Sequence, residues 1–207
     1  GAVYEKAFFY DRAAKAYELV VDKFGADKND PKVADALFNA GVLRQAIGQN
    51  DRAINHYKKY KDAYPQRKDA PDVAFNIGVV YQEAGQEGPA YQAFDSYTKN
   101  YRSTGKRVIE AHTRAGLMAL KLGQLKRAKE DFASAQALWK RSSRDEKAQG
   151  KQWAAQARYN EGELLFREYE KVTLDVKPAQ LTKALTQKSK LLGEAEKVYL
   201  SVGDFQD

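Results

Sequence analysis

A single spacing of small and aromatic residues recurs along the chain. Gly41 is followed by Gly48, Ala53 and Tyr57, which lie 7, 12 and 16 residues further on. The same offsets recur elsewhere, with Phe8 in place of the second glycine in the first copy: Gly1, Ala13 and Tyr17; Gly78, Gly85, Ala90 and Phe94; Gly116, Gly123, Ala128 and Phe132. Successive copies are 40, 37 and 38 residues apart. A chain with such a repeat folds as an array of similar units, each covering its neighbour.

Each position of this spacing has a physical role in a pair of helices. The first glycine lies inside a helix, where it costs about 1 kcal/mol relative to alanine and is tolerated if a second helix approaches closely. The second glycine ends that helix, because glycine adopts positive φ without strain. The alanine and the aromatic residue are four positions apart, so they share one face of the next helix. The pattern predicts an all-α fold, a right-handed α-solenoid of about five helix–turn–helix repeats.

Proline positions and helix-forming composition support this prediction. Ala, Lys, Gln, Leu and Glu are plentiful, and the chain has only five prolines. Pro31, Pro71 and Pro89 suit the first turns of helices, and Pro65 suits the end of one. The predicted helices are 1–8, 11–24, 31–47, 51–64, 71–84, 88–101, 105–122, 125–141, 146–172 and 178–202.

The chain divides into a regular part and a divergent part. Residues 1–141 are predicted to form four repeats, of which the first is truncated. Residues 142–207 are predicted to form a fifth repeat with long helices, in which Gly162 matches the first glycine and Tyr169 replaces the second. Its last helix has an apolar stripe expected to face partly outwards, as a cap, a dimer face or the start of further repeats: Leu181, Ala184, Leu185, Leu191, Leu192, Ala195, Val198 and Tyr199.

The regular part resembles the tetratricopeptide repeat family. The residues that carry the resemblance are Leu37–Gly41 with Gly48, Ala53, Tyr57 and Pro65, and Ala74–Gly78 with Tyr81, Gly85, Ala90 and Phe94. The resemblance implies a non-enzymatic scaffold that binds a partner protein in a concave groove. These repeats are longer than the family's usual period and are similar to those of envelope-associated members in Gram-negative bacteria. That similarity implies a periplasmic or outer-membrane-associated protein, with the cytoplasm as the alternative.

The candidate groove residues stand two positions before each helix glycine. Asn39, Asn76, Arg114 and Asn160 occupy this position, and Gln45, Gln82 and Lys121 lie about one turn further on. Asn amides offer donors and acceptors that suit an extended peptide backbone, and Arg114 could bind a carboxylate. Phe38, Phe75 and Tyr159 stand beside them, either as apolar contacts for a partner or as core. A family-type clamp for a C-terminal carboxylate is not expected, because Phe38, Val42 and Glu110 do not match it.

The net positive charge suggests an alternative function. Residues 101–150 contain twelve basic and five acidic residues, which accounts for the whole net charge of +7. A local basic field favours an acidic protein partner or, alternatively, an anionic polymer or surface such as nucleic acid or lipid. An accidental bias on a solvated face is the plainer explanation. The candidate basic patch comprises Arg102, Lys106, Arg107, Lys126, Arg127, Lys129, Lys140 and Arg141.

Catalytic and cofactor chemistry finds no support in the residues. The chain has no cysteine, and His56 and His112 are its only histidines, far apart in the repeat frame. We therefore expect no metal site, no cofactor and no catalytic residues, with both histidines on the surface or in the core. Trp139 and Trp153 flank a basic segment and are expected to cap the core rather than to stack nucleotides. No apolar run is long enough to span a membrane. The partner and the oligomeric state stay open.

Overall fold

The computed structural model describes residues 2–25, 30–102 and 105–205, and within these ranges every regular element is helical. The elements are α1 (Ala2–Phe24), α2 (Pro31–Ala46), α3 (Asn50–Ala63), α4 (Ala70–Glu83), α5 (Glu87–Asn100), α6 (Val108–Lys121), α7 (Leu125–Arg141), α8 (Arg144–Lys171), α9 (Pro178–Leu200) and a 3-10 helix (Gly203–Phe205). The predicted all-α fold is confirmed.

One helix differs from the prediction in more than its ends. The sequence predicts two helices over residues 1–8 and 11–24, whereas residues 2–24 form the single helix α1; residue 1 lies outside the described residues. The predicted break is wrong because Phe8 stands where the other copies have a turn glycine, and Phe8, Phe9 and Tyr10 contain no helix breaker. The helix α6 also begins three residues later than predicted, at Val108.

In the three copies that have a second glycine, this residue closes the turn between two helices. Gly48, Gly85 and Gly123 have φ of 73°, 67° and 71° and are the residues with positive φ in the described chain. At each turn the residue after the glycine donates its backbone N–H to a carbonyl five residues earlier, as in the 2.8 Å bond from Gln49 N to Arg44 O. This is the Schellman arrangement, which satisfies the free carbonyls at a helix end. The predicted role of these glycines is confirmed.

In the copies that begin at Gly41, Gly78 and Gly116, the first glycine lies against the aromatic ring of the next helix. A Cβ placed on Gly41 would lie 2.5 Å from Tyr57 Cε1, and one on Gly78 would lie 2.6 Å from Phe94 Cε1. Gly116 and Phe132 have the same relation, as do Gly162 and Tyr199 in the divergent part. We call this contact the glycine–aromatic joint. Because any side chain would displace the ring, glycine is the residue that permits this close approach.

The chain folds as two compact units, residues 1–105 and 106–207. In unit 1, helices α1 to α5 pack in sequence, each against the next. Its core is apolar and aromatic, and it includes the fully buried Tyr57, Tyr60 and Val73. Phe75 is also fully buried, with its ring 5.3 Å from those of Phe94 and Tyr97.

Unit 1 also contains a buried cluster of charged groups. The Arg44 side chain is 0% exposed, and its guanidinium donates two hydrogen bonds to the Glu18 carboxylate, at 2.8 and 2.6 Å. It donates further to Asp11 Oδ1 at 2.6 Å and Gln49 Oε1 at 2.7 Å. His56 is buried and its Nε2 lies 2.9 Å from Glu18 Oε1. The cluster joins α1, α2 and α3, and it places His56 in the core.

Unit 2 consists of α6 to α9 and the 3-10 helix. Helices α6, α7, α8 and α9 pack in sequence, and α6 also packs against α8. Trp139 packs on Phe205 with ring centroids 4.5 Å apart, and its Nε1 donates to Lys147 O. His112 is half-buried and its Nδ1 lies 3.0 Å from Asp131 Oδ1. In α9, Leu181, Leu185 and Leu192 are 39–48% exposed, as expected for an outward stripe.

Candidate partner-binding surface

The candidate surface of unit 1 is formed by α2 and α4, the first helices of two successive hairpins. Asn39 and Asn76 each precede a joint glycine by two residues, so the two amides occupy the same helical register. Both side chains are half-buried. Neither amide has a hydrogen-bond partner within the part of the chain that the structure describes. An amide in this condition keeps its donors and its acceptor for a ligand or for water.

Gln45 connects the two first helices of unit 1. Its Nε2 donates to Glu83 Oε2 of α4 at 2.9 Å, and its Oε1 accepts a 3.1 Å hydrogen bond from the Tyr57 hydroxyl. Burial and the Glu83 carboxylate raise the pKa of Tyr57, so the hydroxyl remains a donor. Gln82 is half-buried beside Glu83. Both ends of the Gln45 amide are therefore engaged in hydrogen bonds within unit 1, and the bond to Glu83 brings the ends of α2 and α4 side by side.

Apolar groups border the two asparagines unequally. Phe38 is half-buried, with its ring 6.3 Å from that of Tyr57, whereas Phe75 is fully buried in the core. Phe75 is therefore part of the core and not an apolar contact for a partner. Val42, which is not among the predicted groove residues, is 39% exposed next to Phe38 and Asn39 and adds apolar surface there.

In unit 2 the equivalent residues have internal partners. Arg114 Nε donates to Glu110 Oε1 at 2.8 Å, and the guanidinium lies 4.5 Å from the centre of the Trp153 ring. Arg107 holds the same Glu110 carboxylate with bonds of 2.8 and 3.0 Å. The i, i+4 spacing of Glu110 and Arg114 was a visible signal for this pair. Trp153 packs against Arg114 with no comparable signal in the sequence.

Asn160 and Lys121 complete the candidate residues of unit 2. Asn160 Nδ2 donates to the Gln156 carbonyl of its own helix at 2.8 Å. Tyr159 is 49% exposed, with its ring 5.7 Å from that of Tyr199. Lys121 is exposed in the last turn of α6. The two units therefore present different chemistry at equivalent positions.

The candidate basic residues of unit 2 lie in separate places. Lys106 and Arg107 precede α6. Lys126, Arg127 and Lys129 lie in the first turns of α7 and Lys140 and Arg141 in its last turn, so the two groups are about 20 Å apart along the helix. Arg127 donates to Gln124 at 2.9 Å, and Lys126 Nζ lies 4.0 Å from Glu130. Arg102 is an exposed residue of unit 1. The basic side chains of α7 form two small groups.

Two features bear on other kinds of site. Within the described residues, no three His, Cys, Asp or Glu side chains are arranged to hold a metal ion. None of the helices in the described ranges combines the length and apolar character that a membrane span requires.

A stack of helical hairpins joined by glycine–aromatic contacts defines the class of the protein as a helical-repeat scaffold. The family model for "Tetratricopeptide repeat" matches residues 35–67, which cover the joint between Gly41 and Tyr57. Residues 35–67 are thus a tetratricopeptide repeat, and the chain has the all-α solenoid fold of tetratricopeptide-repeat proteins. The predicted resemblance is confirmed.

Solved structures agree with this fold over nearly the whole chain. BtubC from P. vanneervenii is 13% identical, with a TM-score of 0.56 over 100% of this chain and 89% of its own. YrrB, described as a TPR protein with an unusual peptide-binding site, is 15% identical, with a TM-score of 0.54 over 98% and 88%. MamA is 18% identical, with a TM-score of 0.53 over 91% and 90%. A sequence comparison with curated proteins gave no match.

Proposed function

We propose that this protein holds an extended segment of a partner protein along α2 and α4, with the side-chain amides of Asn39 and Asn76 binding the backbone of that segment. The fold supports a protein-interaction scaffold in general. The finer proposal is carried by one observation: two equivalent amides stand half-buried, in one register, without internal hydrogen bonds. An extended peptide has unpaired backbone N–H and C=O groups, which these amides complement. The peptide-binding site ascribed to YrrB is consistent with such a use of the fold.

The neighbouring side chains define what kind of segment would fit. Phe38 and Val42 provide apolar contact beside Asn39. The hydrogen bond between Gln45 and Glu83 connects the end of α2 to the end of α4. A segment with alternating apolar and polar side chains would place its apolar groups against Phe38 and Val42. In unit 2, Arg114 and Lys121 would favour acidic groups on the partner, although a partner carboxylate at Arg114 has to compete with Glu110.

The test uses peptides selected for binding to the intact chain from a random extended-peptide library. Asn39→Ala and Asn76→Ala should each weaken binding of the selected peptides about tenfold, because each removes one or two hydrogen bonds. Asn55→Ala and Asn100→Ala are matched controls, since both residues are exposed and lie on the second helices α3 and α5 of the same hairpins. Equal affinity of the wild-type chain and the Asn39→Ala/Asn76→Ala double variant, measured by calorimetry, would rule out this surface.

Binding of an anionic polymer is the weaker candidate. The two basic groups on α7 are separated, and Arg107, Lys126 and Arg127 have polar neighbours within unit 2. Nucleic-acid binding through phosphate contacts loses affinity steeply as salt increases. A steep salt dependence of RNA or DNA binding, abolished by Lys126→Ala/Lys129→Ala, would favour this alternative over the peptide surface.

We further propose a periplasmic or outer-membrane-associated location, within a multiprotein complex of the cell envelope. The proposal is supported by the long repeats, which are similar to those of envelope members of the family. Fractionation of cells that express the native gene tests it. Recovery of the protein in the cytoplasmic fraction alone would contradict it.

A further inference from the structure

Four basic side chains of unit 2 line one cavity between α7 and α8, which we call the cationic cavity. Two of them, Lys126 and Lys129, lie in the first two turns of α7. The other two, Arg167 and Lys171, lie at the end of α8. The cavity has a volume of about 280 Å³. Its other lining residues are Leu125, Leu164 and Glu168.

The lining of the cationic cavity has an excess of positive charge. Glu168 is the one carboxylate among its lining residues, so four cations against one anion give a net charge of +3. Lys126 Nζ lies 4.0 Å from Glu130 Oε1, and the lysine side chain is 91% exposed. The other three cations make no hydrogen bond or ion pair within the described ranges of the chain. The charge of the cavity is therefore not neutralised by the described residues.

This arrangement of charges is unfavourable without a counter-ion. Lys126 and Lys129 are three residues apart, and Arg167 and Lys171 are four apart, so each pair of like charges shares one face of its helix. The two lysines also lie near the N-terminus of α7, where the helix dipole disfavours cations. An anion in the cavity would relieve both kinds of repulsion.

The charge and the size of the cavity indicate the class of anion. A phosphate group carries a charge of about −1.5 to −2 near neutral pH, so two such groups balance the net charge of the lining. The Arg167 guanidinium matches the geometry of phosphate oxygens, and lysines bind them as point charges. A volume of about 280 Å³ is close to the lower limit for ligand cavities, roughly 300 Å³, which favours a small molecule. Leu125 and Leu164 add an apolar wall that strengthens these electrostatic interactions.

We propose that the cationic cavity binds a small molecule with a diphosphate group, whose oxygens contact the four basic side chains. Two of these side chains belong to the regular repeats and two to the divergent part, so they are brought together by the fold and not by a sequence motif. The cavity lies in unit 2, whereas Asn39 and Asn76 belong to unit 1. The proposal therefore does not rest on the peptide surface.

The test is a calorimetric titration of the intact 207-residue chain with pyrophosphate, with sodium chloride keeping the ionic strength constant. We expect binding that Arg167→Gln/Lys171→Gln weakens at least about tenfold, because charge-assisted hydrogen bonds to phosphate are lost. All four basic residues are exposed, so these variants should keep the helical circular dichroism spectrum of wild type.

Lys140→Gln/Arg141→Gln is the matched control. It removes the same two charges from exposed residues of unit 2, but at the other end of α7. Lys140 lies about 16 Å further along this helix than Lys129. That distance exceeds the screening length at physiological salt, so the affinity should change less than about twofold.

Two further measurements define the ligand. Glu168→Gln should bind pyrophosphate more tightly than wild type, because the one negative charge of the lining is removed; a merely structural effect would not raise the affinity. ADP in place of pyrophosphate distinguishes the two sources of a diphosphate group. Tighter binding of ADP would identify an organic ester as the ligand, and weaker binding would identify the free diphosphate.

Three results would overturn the proposal. One is a pyrophosphate titration without heat beyond that of sodium chloride at equal ionic strength. Another is an equal loss of affinity in the two double variants, which would indicate the diffuse field of the whole unit. The third is binding of RNA or anionic vesicles that depends on Arg167 and Lys171 when pyrophosphate does not bind. The Asn39→Ala/Asn76→Ala variant should bind pyrophosphate as wild type does, so failure here and failure of the peptide surface are distinguishable.

Discussion

The two compact units are built with the same joint but present different side chains beside it. Gly41 and Gly78 in unit 1, and Gly116 and Gly162 in unit 2, all lie against an aromatic ring of the next helix. Two residues before these glycines, unit 1 has asparagines without internal hydrogen bonds, whereas unit 2 has an arginine paired with Glu110 and an asparagine bonded to its own helix. The joint thus determines the packing of a hairpin, and residues outside the joint determine what it can bind.

The two units also handle buried charge differently. In unit 1 the Arg44 side chain is 0% exposed, whereas in unit 2 the Arg158 side chain is 31% exposed and pairs with Glu161 at 2.9 Å. Arg44 holds three elements together through four hydrogen bonds. Arg158 bonds to Glu161 of its own helix and to Ser201. Arg44 thus links α1, α2 and the start of α3, whereas Arg158 links its own helix α8 to Ser201 after α9.

Replacing Arg44 should have the largest effect on stability. Arg44→Ala removes the buried cation that Asp11 and Glu18 share and leaves them with Lys15 and His56 alone, and we expect the free energy of unfolding to fall by about 3 kcal/mol. Arg158→Ala should cost about 1 kcal/mol, because its partner is reached by water. Urea denaturation followed by circular dichroism measures both. Similar losses in the two variants would show that the buried cluster is no more important than a surface pair.

The glycine–aromatic joints should tolerate a methyl group unequally. In Gly78→Ala the new Cβ meets the ring of Phe94, which is fully buried, so we expect a loss of about 2 kcal/mol. In Gly162→Ala it meets Tyr199, which is only partly buried and can shift, so the loss should be below about 1 kcal/mol.

Gly193→Ala is the matched control for both joint variants. Gly193 also lies inside a helix, but nothing lies within 4 Å of its Cβ position. Since alanine is a better helix former than glycine, this variant should gain up to about 1 kcal/mol. Thermal unfolding of the three variants, followed by circular dichroism, gives their order. A gain in Gly78→Ala would mean that the joint is not closely packed.

Acid should weaken unit 1 through Glu18. Hydrogen bonding to Arg44, together with His56, lowers the pKa of Glu18 from 4.5 to about 2, although its partial burial opposes this. A lowered pKa in the folded state means that Glu18 stabilises the fold above pH 4.5, and that this contribution is lost as the pH falls towards 2. The urea midpoint of wild type should therefore fall over this window more steeply than that of Glu18→Gln. Parallel pH profiles would argue against the cluster.

The repeat frame was readable from sequence because each of its positions follows from local chemistry. Positive φ at Gly48 and the close approach of an aromatic ring at Gly41 both require glycine. The spacing of the glycines alone therefore predicts these two positions. The continuous α1 was missed because the frame was extended to Phe8, although nothing at Phe8 ends a helix. The sequence therefore predicts where a joint or a turn occurs more reliably than where a helix continues without one.

The candidate surface was only partly readable for a different reason. The register of Asn39 and Asn76 follows from their distance to the joint glycines, but whether a side chain is free depends on its neighbours in space. The Glu110–Arg114 pair has a helical spacing that could have been recognised. The Arg44 cluster could not, because Asp11 and Glu18 are 33 and 26 residues away along the chain.

The smallest predicted difference concerns how the helices begin. Ser143 starts α8 with a capping box, in which its Oγ accepts from Glu146 N and its own N–H donates at 2.8 Å to Glu146 Oε2. The helix α5 begins after Gln86, whose side chain makes no cap hydrogen bond and which follows the turn at Gly85. Ser143→Ala should therefore cost about 1 kcal/mol, and Gln86→Ala less than about 0.5 kcal/mol. Chemical denaturation can resolve the two values.

An equal loss of unfolding free energy in Gln86→Ala and Ser143→Ala would contradict this difference. It would mean that a glycine turn alone does not suffice to start the next helix, and that the regular hairpins need side-chain caps as much as α8 does.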